Sequence, residues 1–221
     1  MRREGGTTGI VLAGGAASRF GSDKLAAALE GRTLIQRAAD ALEAVCNELV
    51  VVAGQGQAPV IDARSPGVRV VHDSEAFPGP RAGIFAGVQA ASHPLALVVG
   101  ADMPWLRPAF LQALLDRLRT DERGAAAPIL YGILQPLPCA IRVAALRDAA
   151  IAPHGSVLGL LEALRVAPLA ELDWRAVDPG GESLQDVDRP EDLAGPWDLP
   201  ARGWVATWAG PPRSEGPGHA G

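Results

Sequence analysis

A glycine-rich, basic segment follows the first apolar run of this chain. It reads LAGGAASRFGSDK, from Leu12 to Lys24, and Gly9-Ile10-Val11 precedes it. Glycines adopt backbone angles that other residues avoid, so consecutive N–H groups can face an anion, and Arg19 and Lys24 add positive charge to the turn. The segment therefore predicts a phosphate site that suits a nucleoside triphosphate. The alternative is a turn that joins a strand to a helix and binds nothing.

Two common phosphate-binding motifs do not match. A Walker loop has glycine before its lysine, whereas Lys24 follows Asp23. A dinucleotide fingerprint needs G-x-G-x-x-G, but Gly54 and Gly56 are followed by Pro59 where the third glycine should stand. The sequence thus favours neither an ordinary ATPase nor a dehydrogenase.

Asp102 lies where a carboxylate could do chemistry. It falls just past the predicted strand Leu95–Gly100, at the edge where open α/β sheets bind ligands, and Met103-Pro104 imposes a turn that exposes it. Mg²⁺ favours one or two carboxylates together with phosphate oxygens and water. The alternative role is that of a turn or helix-capping aspartate.

Two further aspartates occur in LQDVDRPEDL, from Leu184 to Leu193. Asp186 and Asp188 alternate along a predicted strand, so both side chains would point to the same face. Asp188 could instead cap the helix that Pro190 opens. One carboxylate could also do both, so capping and metal binding both stay open.

Composition is that of a folded protein with one domain. The 221 residues are 48% hydrophobic and 20% charged, which is ordinary for a globular chain. The net charge of −5 argues against a nucleic-acid-binding surface.

The apolar run after the basic start is short, and no span reaches the roughly 20 residues of a membrane helix, so a cytoplasmic location is expected. Cys46 and Cys139 lack zinc or C-x-x-C spacing and are predicted to be buried structural thiols.

The first half of the chain alternates predicted strands and helices. Strands are predicted at 10–13, 49–53, 68–71 and 95–100, each short and apolar enough to be buried on both faces. A helix between the first two strands is indicated by apolar residues at helical spacing: Leu34, Ala38, Leu42 and Val45. Thr33 and Gln36 form its capping box, and a second helix starts near Pro108. This order predicts an α/β fold with a doubly wound, mostly parallel sheet.

The pattern changes after Asp121. Strands are predicted at 125–129, 135–141 and 166–172, and helices at 143–150 and 157–164. The segment 195–221 is rich in glycine and proline and contains Trp197, Trp204 and Trp208, while its last dozen residues are predicted to be disordered. These tryptophans are expected to dock on the domain; contact with a partner is the alternative.

Four ordered segments resemble one enzyme family. LAGGAASRFGSDK is similar to the pattern LAGGxSxRMGxDK, VVHDSEAFPGPRAGIFAGVQAA to D-x-x-x-x-x-GPLAGI, ADMPWL to C/A-D-M/T-P-F/W-L, and LQDVDRPEDL to N/D-V-N/D-T-P-E-D-L. These patterns are typical of the molybdenum cofactor guanylyltransferases and the wider nucleotidyltransferases of the same fold. The four segments are spread over nearly the whole span of residues 9–193, and their order makes the resemblance much stronger than any one of them.

The resemblance implies a Rossmann-like nucleotidyltransferase fold and transfer of GMP from GTP to the phosphate of molybdopterin, with release of pyrophosphate. It implies Mg²⁺ as the metal, with Mn²⁺ as a substitute, and a molybdoenzyme or cofactor-biosynthesis protein as a further partner. Residues 9–194 would form the domain, with a nucleotide-binding half at 9–120 and an acceptor half at 121–194. Residues 1–8 would be an N-terminal extension, and 195–221 a tail outside the resemblance.

The resemblance implies three sets of site residues. The nucleotide-binding set is Leu12, Ala13, Gly14, Gly15, Lys24, Asp73 and Asp102. The catalytic set is Lys24, Asp102 and Arg19, and the metal set is Asp102 and Asp188. A carboxylate such as Asp73 could accept hydrogen bonds from the guanine edge, although a buried turn aspartate is the competing interpretation.

The chain also departs from the family pattern. Asp186 and Asp188 stand where guanylyltransferases often have asparagine, which is closer to the cytidylyl branch, whereas Gly15 and Asp23 favour GTP. Arg81 replaces the usual leucine and could contact the acceptor phosphate or simply face solvent. The alternatives are therefore a cytidylyltransferase, a transferase for another phosphorylated acceptor, or a non-catalytic nucleotide-binding protein that delivers the cofactor through its tail.

Overall fold

A mixed sheet forms the centre of the molecule. The computed structural model describes residues 6–13, 27–54, 59, 61, 68–73 and 79–197. Its strands, in chain order, are β1 (Thr7–Leu12), β2 (Ala28–Leu29), β3 (Arg32–Thr33), β4 (Glu48–Ala53), β5 (Val68–His72), β6 (Leu95–Gly100), β7 (Ala125–Leu130), β8 (Ile133–Leu134), β9 (Cys139–Arg142) and β10 (Ala167–Leu169). The central sheet has the order β10-β7-β9-β6-β1-β4-β5; β8 pairs with β7, and β2 with β3 forms a small separate ribbon.

Parallel pairing dominates this sheet. β1 pairs in parallel with β4 and β6, β4 pairs with β5, and β7 pairs with β10. β9 runs antiparallel between β6 and β7. The predicted doubly wound, mostly parallel α/β fold is confirmed.

Helices cover both faces of the sheet. They are α1 (Leu34–Glu43), α2 (Pro80–Ala90), α3 (Pro108–Arg119), α4 (Val143–Asp148), α5 (Val157–Ala163) and α6 (Glu171–Arg175), with short 3-10 helices at Glu182–Leu184 and Pro190–Ala194. Val11 belongs to the core on one face together with residues of α1, α3 and α6, whereas Ile10 belongs to the core on the other face together with residues of α2, α4 and α5. Because successive strand side chains point to opposite faces, an uninterrupted apolar strand serves both cores at once.

Gly87 lets α2 approach β1 closely. A Cβ atom at this position would lie 2.6 Å from Ile10 Cγ2 and 3.2 Å from Val52 Cγ2. We expect Gly87→Ala to lower the free energy of unfolding by about 1–3 kcal/mol, because overpacking outweighs the gain in helix propensity. Urea unfolding would measure this change. Gln89→Ala, at an exposed position of the same helix, is the control; a Gly87→Ala protein as stable as the wild type would contradict the prediction.

The predicted helix start at Thr33 is confirmed, since Thr33 Oγ1 accepts a hydrogen bond from Gln36 N at 3.3 Å. The helix ends at Glu43, so Val45 and Cys46 lie beyond it, contrary to the prediction.

Cys139 is buried in β9 as expected, whereas Cys46 is only half-buried. Burial raises the pKa of both thiols to about 12, so both remain protonated at neutral pH.

Two predicted strands of the second half have different bounds. The prediction of a strand over 135–141 is wrong in its first four residues, because Pro136 and Pro138 have no N–H to donate to a ladder and the strand forms only from Cys139. The predicted strand 166–172 ends at Leu169, where Ala170 becomes the N-cap of α6. Helices α4 and α5 occur where helices were predicted, each ending one or two residues earlier.

The structure describes the start of β1 but not every residue singled out in the sequence. β1 begins at Thr7, three residues before the predicted strand start. Arg19, Lys24, Trp204 and Trp208 lie outside the described residues. Among the helices of the described part, none has both the length and the hydropathy to cross a bilayer.

Candidate functional site

The carboxyl ends of the central strands carry two of the predicted site residues. Beyond the strands themselves, Ala101 N donates to Leu12 O at 3.0 Å and Asp73 N donates to Ala53 O at 3.1 Å. These backbone bonds place Asp73 and Asp102 at the same edge of the sheet, because Asp73 comes directly after the partly exposed strand β5 and Asp102 comes two residues after the buried strand β6. This is the edge at which open α/β sheets bind ligands.

A small pocket opens between this edge and the start of α2. Its lining residues come from the ends of β1, β4 and β5 and from the turn into the helix: Leu12, Val52, Asp73, Gly79, Pro80 and Gly83. Gly83 keeps the helix near β1, since a Cβ there would lie 3.2 Å from Leu12 Cδ2. The pocket brings together Leu12 and Asp73, two members of the predicted nucleotide-binding set. Ala13 follows directly and is buried, while Gly14 and Gly15 lie outside the described residues.

Three carboxylates gather beside the end of β6. Asp102, Asp186 and Asp188 each present an oxygen, and these oxygens lie within 4.8 Å of one another. Asp102 is half-buried and the other two are exposed. Carboxylate oxygens are hard donors that suit Mg²⁺ or Mn²⁺, and the open side leaves room for phosphate oxygens and water. The donor set therefore fits the divalent cation that the sequence predicts, and Asp186 joins it although the predicted metal set contained only Asp102 and Asp188.

Asp186 and Asp188 were predicted to alternate along a strand, and this prediction is wrong. Residues 185–189 form an irregular connection between the two short 3-10 helices. Val187 N donates to the backbone oxygen of Asp102 at 2.8 Å, and the Val187 side chain is fully buried. With Val187 turned inward, Asp186 and Asp188 are left on the outer side, so both aspartates are exposed without a sheet ladder.

The capping prediction for Asp188 is also wrong. The N-cap of the Pro190–Ala194 helix is Arg189, and the side chain that serves the cap belongs to Asp192. Asp192 Oδ2 accepts hydrogen bonds from Asp188 N and Arg189 N, each at 2.8 Å. Sequence reasoning missed Asp192, although an acidic residue at the third helical position is a known capping signal. Its carboxylate fixes the backbone that carries Asp188.

An ion pair between a buried carboxylate and a half-exposed arginine joins the residues before this segment to the turn after β6. Asp178 is fully buried, and its carboxylate accepts hydrogen bonds from Glu182 N and Ser183 N and pairs with Arg107 Nε at 3.3 Å. Arg107 N donates to Ser183 Oγ at 2.9 Å, and its guanidinium binds Glu182 Oε2. The hydrogen bonds that Arg107 donates to the Glu182 carboxylate raise the pKa of Arg107. No local sequence pattern predicts this contact, because Arg107 lies more than 70 residues before Asp178 and Glu182 along the chain.

Arg81 has a contact that the two predicted roles did not include. Its Nη1 donates to Ser156 O at 3.3 Å, so the side chain joins the start of α2 to the N-cap of α5. Residue 81 is half-buried rather than fully solvent-facing. This contact lies one residue from Pro80, which lines the pocket.

Comparisons with known proteins identify the family of this chain. The model of the MobA-like NTP transferase domain matches residues 9–168. A relative from Chloroflexus aggregans, named "Probable molybdenum cofactor guanylyltransferase", is 36% identical over 202 residues, covering 84% of this chain and 91% of the relative. A molybdenum cofactor guanylyltransferase from Desulfosudis oleivorans is 30% identical, with 84% of this chain and 92% of the relative covered.

Solved structures share the fold. Molybdopterin-guanine dinucleotide biosynthesis protein A from Archaeoglobus fulgidus superimposes with a TM-score of 0.70 at 25% identity, covering 85% of this chain and 95% of that one. A 2-C-methyl-D-erythritol 4-phosphate cytidylyltransferase from Thermus thermophilus gives 0.59 at 20% identity, with 84% and 94% covered, and shows the common fold alone. The sequence, fold and site together place this chain in the MobA-like NTP transferase family.

Proposed function

We propose that this protein transfers GMP from GTP to the phosphate of a molybdopterin-type acceptor and releases pyrophosphate. The carboxylate cluster at the sheet edge, next to the pocket of Leu12 and Asp73, carries the proposal, because phosphoryl chemistry needs a cation site beside a nucleotide site. Relatives named molybdenum cofactor guanylyltransferase, 30–36% identical over most of the chain, support the choice of substrates.

The reaction is a displacement at phosphorus. An oxygen of the acceptor phosphate attacks the α-phosphorus of GTP, a new P–O bond forms, and the bond from the α-phosphorus to the bridging oxygen breaks. Pyrophosphate leaves with that bonding pair. The protein supplies no covalent nucleophile; its contribution is to align the reactants and to neutralise charge.

The nucleotide-binding half, 9–120, would hold GTP. We assign Leu12, Ala13, Gly14, Gly15 and Asp73 to the nucleoside and phosphates. A carboxylate at Asp73 lines the pocket and could accept hydrogen bonds from the guanine N1–H and N2–H₂ donors. The acceptor half, 121–194, would hold the molybdopterin group.

Basic side chains would neutralise the phosphate charge directly, and acidic side chains would do so by holding a cation. Lys24 and Arg19 would bind the triphosphate and the leaving pyrophosphate. Asp102, Asp188 and Asp186 would hold Mg²⁺, for which Mn²⁺ could substitute. A divalent cation there offsets negative charge on the phosphate oxygens. Nothing in this chemistry requires a membrane, and we place the protein in the cytoplasm, where a molybdoenzyme or another cofactor-biosynthesis protein would receive the product.

The direct test is pyrophosphate release from the purified full chain with Mg²⁺ and molybdenum-loaded cofactor. We expect release with GTP in preference to CTP and ATP. A preference for CTP would overturn the choice of base in favour of a cytidylyltransferase. Nucleotide binding without release would favour the cofactor-delivery alternative or a different phosphorylated acceptor.

A further inference from the structure

Gln185 is a buried polar side chain next to the carboxylate cluster. Only 2% of its surface is exposed. Its Nε2 donates to Trp197 O at 2.5 Å, and its Oε1 accepts from Trp197 N at 2.9 Å. The carboxamide therefore pairs with both backbone polar groups of one residue, and we call this pair of bonds the Gln185 clamp. Because the Gln185 side chain is buried, a carboxamide without these hydrogen bonds would cost the full free energy of desolvation.

The Gln185 clamp closes a loop that contains two of the three carboxylates. Asp186 is its immediate neighbour, and Asp188 lies two residues further on. Inside the loop, the Val187 amide is bonded to Asp102 O and the Asp188 amide to Asp192. Gln185 stands at the start of this loop, and Trp197 stands at its end, after the last 3-10 helix. The two bonds of the clamp therefore join the two ends of the loop.

The closed loop fixes the spacing of the three carboxylates. The oxygens of Asp102, Asp186 and Asp188 lie within 4.8 Å of one another, a spacing at which like charges disfavour one another and a cation would be attracted. Asp186 and Asp188 are on the exposed side of their loop, so the bonds that hold the loop backbone set the positions of these two carboxylates. A loop that stays closed presents its oxygens to an incoming cation without a further ordering step.

We propose that Gln185 is a positioning residue for the divalent cation, acting through the backbone of Trp197 to hold Asp186 and Asp188 opposite Asp102. This inference rests on the cation role that the proposed function gives to the cluster. It assigns Gln185 no contact with substrate.

The test is Mn²⁺ binding by the full chain without nucleotide, measured by the loss of the electron paramagnetic resonance signal of free Mn²⁺. We expect Gln185→Leu to weaken Mn²⁺ binding at least about tenfold, the range found for residues that orient metal ligands. The Mn²⁺ concentration for half-maximal GMP transfer should rise by a similar factor, whereas the rate at saturating Mn²⁺ should fall less. Gln112→Leu is the matched control, because Gln112 pairs with Asp116 on α3, away from the cluster. It should bind Mn²⁺ as the wild type does.

A second pair of variants separates the clamp from general damage to the fold. Trp197→Ala keeps the backbone N–H and C=O that the clamp uses, so Mn²⁺ affinity should stay at the wild-type value. Trp197→Pro removes the N–H that donates to Gln185 Oε1 and should weaken Mn²⁺ binding several-fold. This pair decides the question even if Gln185→Leu does not fold, because the indole is half-exposed and its loss leaves the core intact.

The outcomes are distinct. Equal Mn²⁺ affinity in the wild type, Gln185→Leu and Trp197→Pro proteins would overturn the inference, and so would a wild type that binds no Mn²⁺. Weaker binding in both variants, in a protein that transfers no GMP, would support the positioning role and overturn the proposed function instead.

Discussion

Asp102→Asn is expected to lower the rate of pyrophosphate release about 10³-fold, equivalent to roughly 4 kcal/mol of transition-state stabilisation. Asp102 is the half-buried member of the carboxylate cluster, and its backbone oxygen is fixed by Val187 N. Asparagine keeps the size of the side chain but removes its charge, so the cation would lose its most firmly placed ligand. Steady-state release of pyrophosphate at saturating GTP and Mg²⁺ is the measurement.

The matched control for this change is Asp148→Asn. Asp148 is exposed at the end of α4, outside the cluster, so the same exchange of charge for amide should leave the rate near that of the wild type. Thermal unfolding of both variants would show whether a loss of rate reflects a loss of folded protein. A rate for Asp102→Asn within tenfold of the wild type would remove Asp102 from the chemistry.

Trp174→Ala is expected to reduce the free energy of unfolding by about 3–5 kcal/mol. Trp174 is fully buried, its ring lies 5.8 Å from that of Phe110, and its Nε1 donates to Ile129 O at 2.8 Å. The substitution opens a cavity between α6 and α3 and removes the buried hydrogen bond to Ile129 O, and both effects are destabilising. Urea unfolding followed by circular dichroism would give the value.

Leu172→Ala, on the same helix, is the control. Leu172 is 85% exposed, so its truncation should change stability by no more than about 0.5 kcal/mol. A loss below about 1 kcal/mol for Trp174→Ala would mean that α6 contributes little to this core.

The first half of the fold could be predicted because its strands carry a strong local signal. The runs at Leu49 and Leu95 are apolar on both faces, which only a sheet covered by helices on both sides explains. The same argument puts Asp73 and Asp102 at the carboxyl edge, where the structure has them. The second half has shorter elements interrupted by proline, and its strand bounds were correspondingly wrong at Gln135 and Leu172.

The candidate site was only partly visible in the sequence. Asp186 and Asp188 were recognised, but for a reason that the structure does not bear out, since their common exposure comes from the burial of Val187 rather than from a strand. Gln185 and Asp178 gave no signal at all. Their partners, Trp197 and Arg107, are chosen by the tertiary fold, and a local pattern contains no information about such contacts.

The backbone bond from Val187 to Asp102 has a topological consequence. All of residues 103–186 lie inside the loop that this bond closes. The free energy of loop closure depends only weakly on length, so this segment can gain or lose residues at its surface turns while the two ends stay together. The chain between Asp102 and Val187 can therefore change in length while Asp102 and Asp186, which flank the closing bond, stay side by side.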